Sequence, residues 1–142
     1  MVGNDSASQI YVRNKSKACE EIGIQFEEYL LEENTTIEEL QQLIYELNQN
    51  PQIHGILLQS PIPSHLDINQ AFKSIAEEKD VDGFHPNNVG KLCLGQDCFV
   101  PCTPYGIIKL LEEYQISIEG KHCVILRKKQ YCRKTTHTMY VK

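Results

Sequence analysis

The sequence predicts an α/β fold with a mainly parallel sheet. Short apolar runs alternate with segments of helical periodicity, the order that places helices between parallel strands. The tightest run, Ile53–Leu58, is nearly continuous rather than alternating, as in a strand covered on both faces. Glycine, proline and capping residues mark the boundaries between segments.

From Ser6 to Ile22 the pattern is helical; Asn4, Asp5 or Ser6 can cap it and Gly23 ends it. Ile24–Leu30 mixes apolar and acidic residues and reads as a strand running into a loop. Thr36-Ile37-Glu38-Glu39 is a capping box, followed by Ile37, Leu40, Leu43, Ile44 and Leu47 on one helical face, with Pro51 beyond. Ser60-Pro61-Ile62-Pro63-Ser64 cannot extend a strand. Asp67 to Glu78 is helical again, and Val81-Asp82-Gly83 is a turn. Pro104 suits the first helical position with Thr103 as cap, giving a helix to about Tyr114. Cys123–Leu126 begins another buried strand.

The 142 residues suffice for one domain with a real core, and 41% apolar with 23% charged residues is an ordinary soluble balance. No apolar run approaches the ~20 residues of a membrane helix. Met1–Asp5 lacks the basic start and apolar stretch of a signal peptide, so a cytoplasmic location is expected. Cys19, Cys93, Cys98, Cys102, Cys123 and Cys132 form no C-x-x-C pair and are expected to be reduced thiols. The five histidines are scattered, and no metal site is expected. Net charge −5 hides an asymmetry: residues 1–126 carry a net −11, and residues 127–142, with six basic and no acidic side chains, carry +6.

Three places can carry chemistry. Tyr11 and Lys15 lie four apart on one helix face, and a lysine beside an apolar wall can exchange protons near neutral pH. Gln59 follows the buried run, at the strand end where open α/β sheets bind ligands, and the stiff Pro61-Ile62-Pro63 stretch can hold a flat ligand. Asp82, before a glycine turn, can accept hydrogen bonds from an amino group and a ring N–H together. Each also has an ordinary reading: a surface pair, a polar strand end before a proline turn, and an Asp-Gly turn.

In combination these stretches resemble the methylenetetrahydrofolate dehydrogenase/cyclohydrolase family. Val2-Gly3-Asn4-Asp5-Ser6-Ala7-Ser8 through Tyr11-Val12 and Lys15 is similar to its V-G-x-x-x-A-S-x-x-Y-V-x-x-K segment. Gly55–Pro63 resembles G-I-L-V-Q-L-P-L-P, and Lys79–Pro86 with Asn88-Val89-Gly90 resembles K-D-V-D-G-F-H-P-x-N-V-G. Pro101–Gly106 resembles P-C-T-P-x-G. Ser6 and Ser60 stand where the family usually has proline and leucine, the second beside Gln59 where it would loosen the cleft wall.

The resemblance implies a three-layer α/β/α catalytic domain over residues 1–126, truncated at its first strand and lacking the following Rossmann domain. It implies oxidation of 5,10-methylenetetrahydrofolate with NADP, or with NAD as in some members of the family, then hydrolysis of the methenyl form to 10-formyltetrahydrofolate. Lys15 would transfer the proton in hydrolysis, Gln59 would bond to Lys15 and help set its protonation state, and Tyr11 would stack on the folate. Asp82 would anchor the pterin's amino-pyrimidine edge, and Pro61, Pro63, Pro101 and Thr103 would line the cleft. No residue for the cofactor is retained. A homodimer interface, usual through the dinucleotide domain, would be missing, leaving an incomplete and largely inactive copy.

After Leu126 the family continues G-R-S-x-x-V-G-x-P, a loop that cradles cofactor phosphates. Here the chain reads Arg127-Lys128-Lys129-Gln130-Tyr131-Cys132-Arg133-Lys134-Thr135. Suitable codons for these residues, read one base out of frame, encode G-R-S-N-I-V-G-K-P. The tail is therefore expected to be disordered and to be either a frameshift product or a genuine basic extension. A non-catalytic folate-binding module and a basic-tailed interaction protein are the alternatives; nucleic acid is not the expected partner, since no recognised module accompanies the basic run.

Overall fold

Residues 1–122 and 124 are described by the computed structural model. The chain falls into two units: Met1–Ile53 with Leu57–Ile75, and His54–Ile56 with the chain from Ala76 onward.

In the first unit, helix α1 spans Ser6–Glu21. Of the three candidate caps Asp5 is the one used: its side chain accepts from Ser8 N at 2.7 Å. Ser8 and Val12 are buried, and Lys15 and Cys19 further along the same stripe are half-buried. Ile22 is the C-cap, and Gly23 comes next at φ +75°, left-handed backbone that glycine adopts without a Cβ penalty. Helix α2 spans Ile37–Gln49 and starts with both halves of the capping box, Thr36 Oγ1 accepting from Glu39 N and Glu39 Oε2 from Thr36 N. Leu40 and Ile44 are its buried residues.

Helix α3 is shorter than the sequence predicts, Ile68–Ser74 rather than Asp67 to Glu78. Asp67 caps it. The end is set by packing of α2 on α3. Ile75 leaves helical geometry at ψ 134° with its side chain buried, and the Ser74 carbonyl accepts Asn48 Nδ2 of α2 at 2.8 Å. In a longer helix that carbonyl would accept from residue 78. Gln41 Nε2 donates to Ser74 Oγ at 2.8 Å and reinforces the junction.

In the second unit a 3-10 turn, Glu77–Lys79, leads into the Asp80–Gly83 stretch, and helices α4 (Pro86–Leu94) and α5 (Cys102–Glu113) come after it. Helix α4 is not among the elements the sequence predicts, although its signals are local: the His85 side chain caps it, Pro86 opens it, and Gly95 closes it at φ +68°. Helix α5 begins earlier than expected, so Thr103 lies inside it and Pro101 is its cap residue. Pro104 is accommodated because the first N–H groups of a helix have no intrahelical acceptor, so its missing N–H forfeits no bond.

The expected strands are reduced to two isolated bridges among the described residues, Val2 with Leu31 and Ile56 with Asp80. Both are parallel, as the alternation predicts. Val2 is held by Gly3 N to Leu31 O at 3.0 Å and Leu31 N to Met1 O at 2.9 Å. Ile24–Leu30 is exposed throughout and carries no ladder. Ile53–Leu58 is not covered on both faces: Ile56 and Leu58 are buried, but His54 and Gly55 are exposed. A ladder needs a neighbour in register along its length, and each extended segment has one only at a single residue. The Cys123–Leu126 strand lies outside the described residues except for Val124, as does the whole of the tail 127–142. Among the described residues no helix is long and apolar enough to cross a membrane.

Candidate active site

Lys15 sits half-buried on α1, one turn beyond Tyr11, a residue 61% exposed. Gln59 directly follows buried Leu58, so the strand-like segment delivers its side chain to α1. Lys15 Nζ donates to Gln59 Oε1 at 3.0 Å, across 44 residues of sequence. Gln59 Nε2 donates to the Ser60 carbonyl at 2.8 Å. Committing the amide N–H to that carbonyl turns Oε1 toward Lys15 Nζ, so the glutamine orients Lys15 with a neutral acceptor. Ser8 Oγ, buried on the same face of α1, approaches the same carbonyl at 3.5 Å. This anchor uses the Ser60 backbone, so it does not depend on serine replacing leucine there.

The Ser60–Pro61 peptide is cis. Pro61 is exposed and Pro63 half-buried. Gly3, at φ +77°, lies against Pro63: a Cβ there would sit 3.5 Å from Pro63 Cγ. The left-handed backbone, more than the space, requires glycine in the Val2-Gly3 motif.

The second unit carries Asp82, half-buried in the turn, together with buried Pro101 and exposed Thr103. Asp80, next but one to Asp82, is 1% exposed, and its Oδ2 accepts His85 N and Asn88 Nδ2, each at 2.8 Å. Asn88 is 2% exposed and also donates to the Glu77 carbonyl at 3.0 Å. Glu77 in turn pairs with Lys91 and accepts from Asn87 Nδ2 at 2.7 Å. The Lys91 ammonium, and then Asn87, hold the Glu77 carboxyl below its ordinary range, while Glu77 pushes Lys91 above its own. In the sequence Asp80 and Asn88 are motif letters with no role attached. The signal is present there as a second acid in Lys79–Gly83, but burial is what marks it.

Every buried side-chain nitrogen or oxygen among the described residues has a hydrogen-bond partner. No cluster of three His, Cys, Asp or Glu residues is placed to hold a metal among them. Two surface hollows of the first unit, about 440 and 400 Å³, lie away from the Lys15–Gln59 pair. One borders α2 at Tyr45 and Asn48, the other the Gln9–Arg13–Lys17 face of α1. An open polar depression fixes no reacting group, so the hydrogen-bonded pair, not the size of a hollow, marks the candidate site.

Comparison with known proteins gives a consistent assignment. Residues 1–82 match the family model described as tetrahydrofolate dehydrogenase/cyclohydrolase, catalytic domain. The bifunctional protein FolD of Chloroherpeton thalassium is 56% identical over 128 residues, covering 89% of this chain and 44% of that relative. The chain thus spans about half the length of the curated relatives it matches. Among solved structures, the bifunctional FolD enzyme of Campylobacter jejuni aligns at TM-score 0.93 with 48% identity, covering 99% of this chain and 50% of that one. The Trypanosoma brucei dehydrogenase-cyclohydrolase, solved with NADP cofactor and inhibitor, aligns at 0.81 with 36% identity over 84% of this chain and 41% of that one. The family match over more than half the sequence, together with these likenesses, shows that the chain belongs to the tetrahydrofolate dehydrogenase/cyclohydrolase family.

Proposed function

We propose that this chain supplies the folate side of a methylenetetrahydrofolate dehydrogenase/cyclohydrolase, binding a tetrahydrofolate derivative and moving the proton in methenyl hydrolysis. The observation that carries the reading is the Lys15–Gln59 hydrogen bond, with the amide oriented by the Ser60 carbonyl. Hydrolysis adds water to the methenyl carbon and then breaks one of its two C–N bonds. A positioned amine can take the proton from the attacking water and return it to the departing nitrogen. A neutral acceptor holds Lys15 in place without pairing it to a permanent anion.

Tyr11 offers an exposed ring one turn away on α1, suited to stacking on a flat conjugated ligand. Asp82 accepts from the amino group and ring N–H of the pterin, and Pro61, Pro63, Pro101 and Thr103 provide rigid wall. On this reading residues 1–126 form the catalytic domain, of the three-layer α/β/α class with a mainly parallel sheet. No residue of this chain is assigned to NADP or to pairing with a second copy, and the proposed chemistry is confined to the folate side.

The test follows methenyltetrahydrofolate through the loss of its near-ultraviolet absorbance, comparing the protein with Lys15→Met. The expected result is hydrolysis above the buffer rate that falls to that rate in the variant. Both proteins hydrolysing at the buffer rate would exclude cyclohydrolase activity for this chain, and folate binding without turnover would leave a binding module.

A further inference from the structure

We propose that Asp80 and Asn88 are positioning residues, holding the turn that carries Asp82 in the shape that receives the pterin edge; this rests on the folate reading above. A carboxylate that is 1% exposed is unfavourable unless donors satisfy it. Two of the donors to Asp80 come from the chain just beyond the turn. His85 N closes the chain onto Asp80 Oδ2 around Val81, Asp82, Gly83 and Phe84, and Asn88 Nδ2 reaches the same oxygen from the first turn of α4. The second N–H of that amide goes to the Glu77 carbonyl, so Asn88 has no hydrogen left to turn elsewhere and its orientation is determined.

The turn is held on its other sides too. Ile56 N bonds to the Lys79 carbonyl at 2.7 Å, tying the entry to the bridge at Asp80. Gly83 N bonds to the Asp80 carbonyl at 3.1 Å. Gly83 has φ +68°, and a Cβ there would lie 2.5 Å from Phe99 O and 3.1 Å from Pro101 Cδ. The Asp82 turn is therefore seated against the stretch that opens the Pro101–Thr103 segment, the other folate-lining part of this unit. Charge-assisted bonds to a buried carboxylate are among the stronger ones in a protein. A turn closed by two of them presents its own acid in one arrangement, so binding does not have to order it.

The experiment is a double-mutant cycle on the full chain, with folic acid as the probe because it carries the same amino-pyrimidine edge. Calorimetric titration compares the parent protein, Asp82→Ala, Asn88→Ala and the double variant. Asp82→Ala, which loses both pterin hydrogen bonds, and Asn88→Ala, which loses the charge-assisted bond holding Asp80, should each weaken binding about tenfold or more. The double variant should bind no worse than Asp82→Ala, because Asn88 acts through Asp82. Losses that multiply, or an unchanged affinity in Asn88→Ala, overturn the inference. Ile44→Val in the first unit is a destabilised control, and an equal loss of affinity there also overturns it. If Asn88→Ala shows no cooperative melt, Asn88→Ser, which keeps a donor for Asp80, carries the same cycle with a smaller loss. A silent Asp82→Ala, or no binding by the parent, removes the folate reading and this inference together; multiplying losses with an affected Asp82→Ala remove only the inference.

Discussion

Replacing Gly83 with alanine tests the close packing around the Asp82 turn. The perturbation has two parts. The residue has φ +68°, and placing a Cβ in left-handed backbone costs about 1–2 kcal/mol. The new methyl group would also lie 2.5 Å from the Phe99 carbonyl oxygen, well inside van der Waals contact, and the obstacle is backbone rather than a side chain that can swing away. Relieving such overpacking costs about 1–3 kcal/mol more. The expected total is about 2–5 kcal/mol. Gly23→Ala is the matched control, because Gly23 has φ +75° but nothing within 4 Å of its would-be Cβ. It should lose only the conformational part, about 1–2 kcal/mol. The chain has no tryptophan, so urea unfolding is followed by circular dichroism. With a denaturant slope of about 2 kcal/mol per molar, the midpoint falls by about 1–2.5 M for Gly83→Ala and about 0.5–1 M for Gly23→Ala. Equal shifts in the two variants would refute the contact with Phe99 and the seating of the turn that it implies.

Thr36→Ala removes the acceptor of Glu39 N and one half of the capping box, and should cost about 1 kcal/mol, a melting temperature lower by a few degrees. Gln59→Leu removes the acceptor that orients Lys15 and should slow methenyl hydrolysis about tenfold or more while circular dichroism stays unchanged. An unaltered rate would show that the lysine needs no such support. Glu77 titrates below its ordinary value of 4.5 because of Lys91, so its contribution to folding is present above that value and is lost as pH falls through the lowered one. Carboxyl-detected nuclear magnetic resonance should find that depressed midpoint, and Lys91→Met should return it upward; an unmoved midpoint would assign the shift to other groups.

Much of the helical layout is legible in the sequence because helix starts are local. Asp5 with Ser8, and Thr36 with Glu39, are partners three residues apart, and the cap forms whatever packs around it. Helix α4 carries equally local signals at Pro86 and Gly95, yet its start reads first as a family motif, since Pro86 and Asn88–Gly90 are motif letters, and Gly95 lies beyond that motif. The pairing of Gln59 with Lys15 comes from family resemblance, since nothing in the spacing of residues 15 and 59 brings an amide to an amine.

What the sequence by itself determined is therefore the family, the capping box that starts α2 and the identity of the chemical groups Tyr11, Lys15, Gln59 and Asp82, whereas the Thr103 cap it predicts for α5 gives way to Pro101. Tertiary structure alone decided where α3 stops, how little of the extended chain finds a partner, and that Asp80 rather than Asp82 is the buried acid of its turn. The division has a physical reason. Caps and turns are satisfied by neighbours in the chain, whereas a parallel bridge, a diverted helix carbonyl and a buried carboxylate each need a donor or acceptor from a distant or newly folded segment, and only packing brings that group within reach.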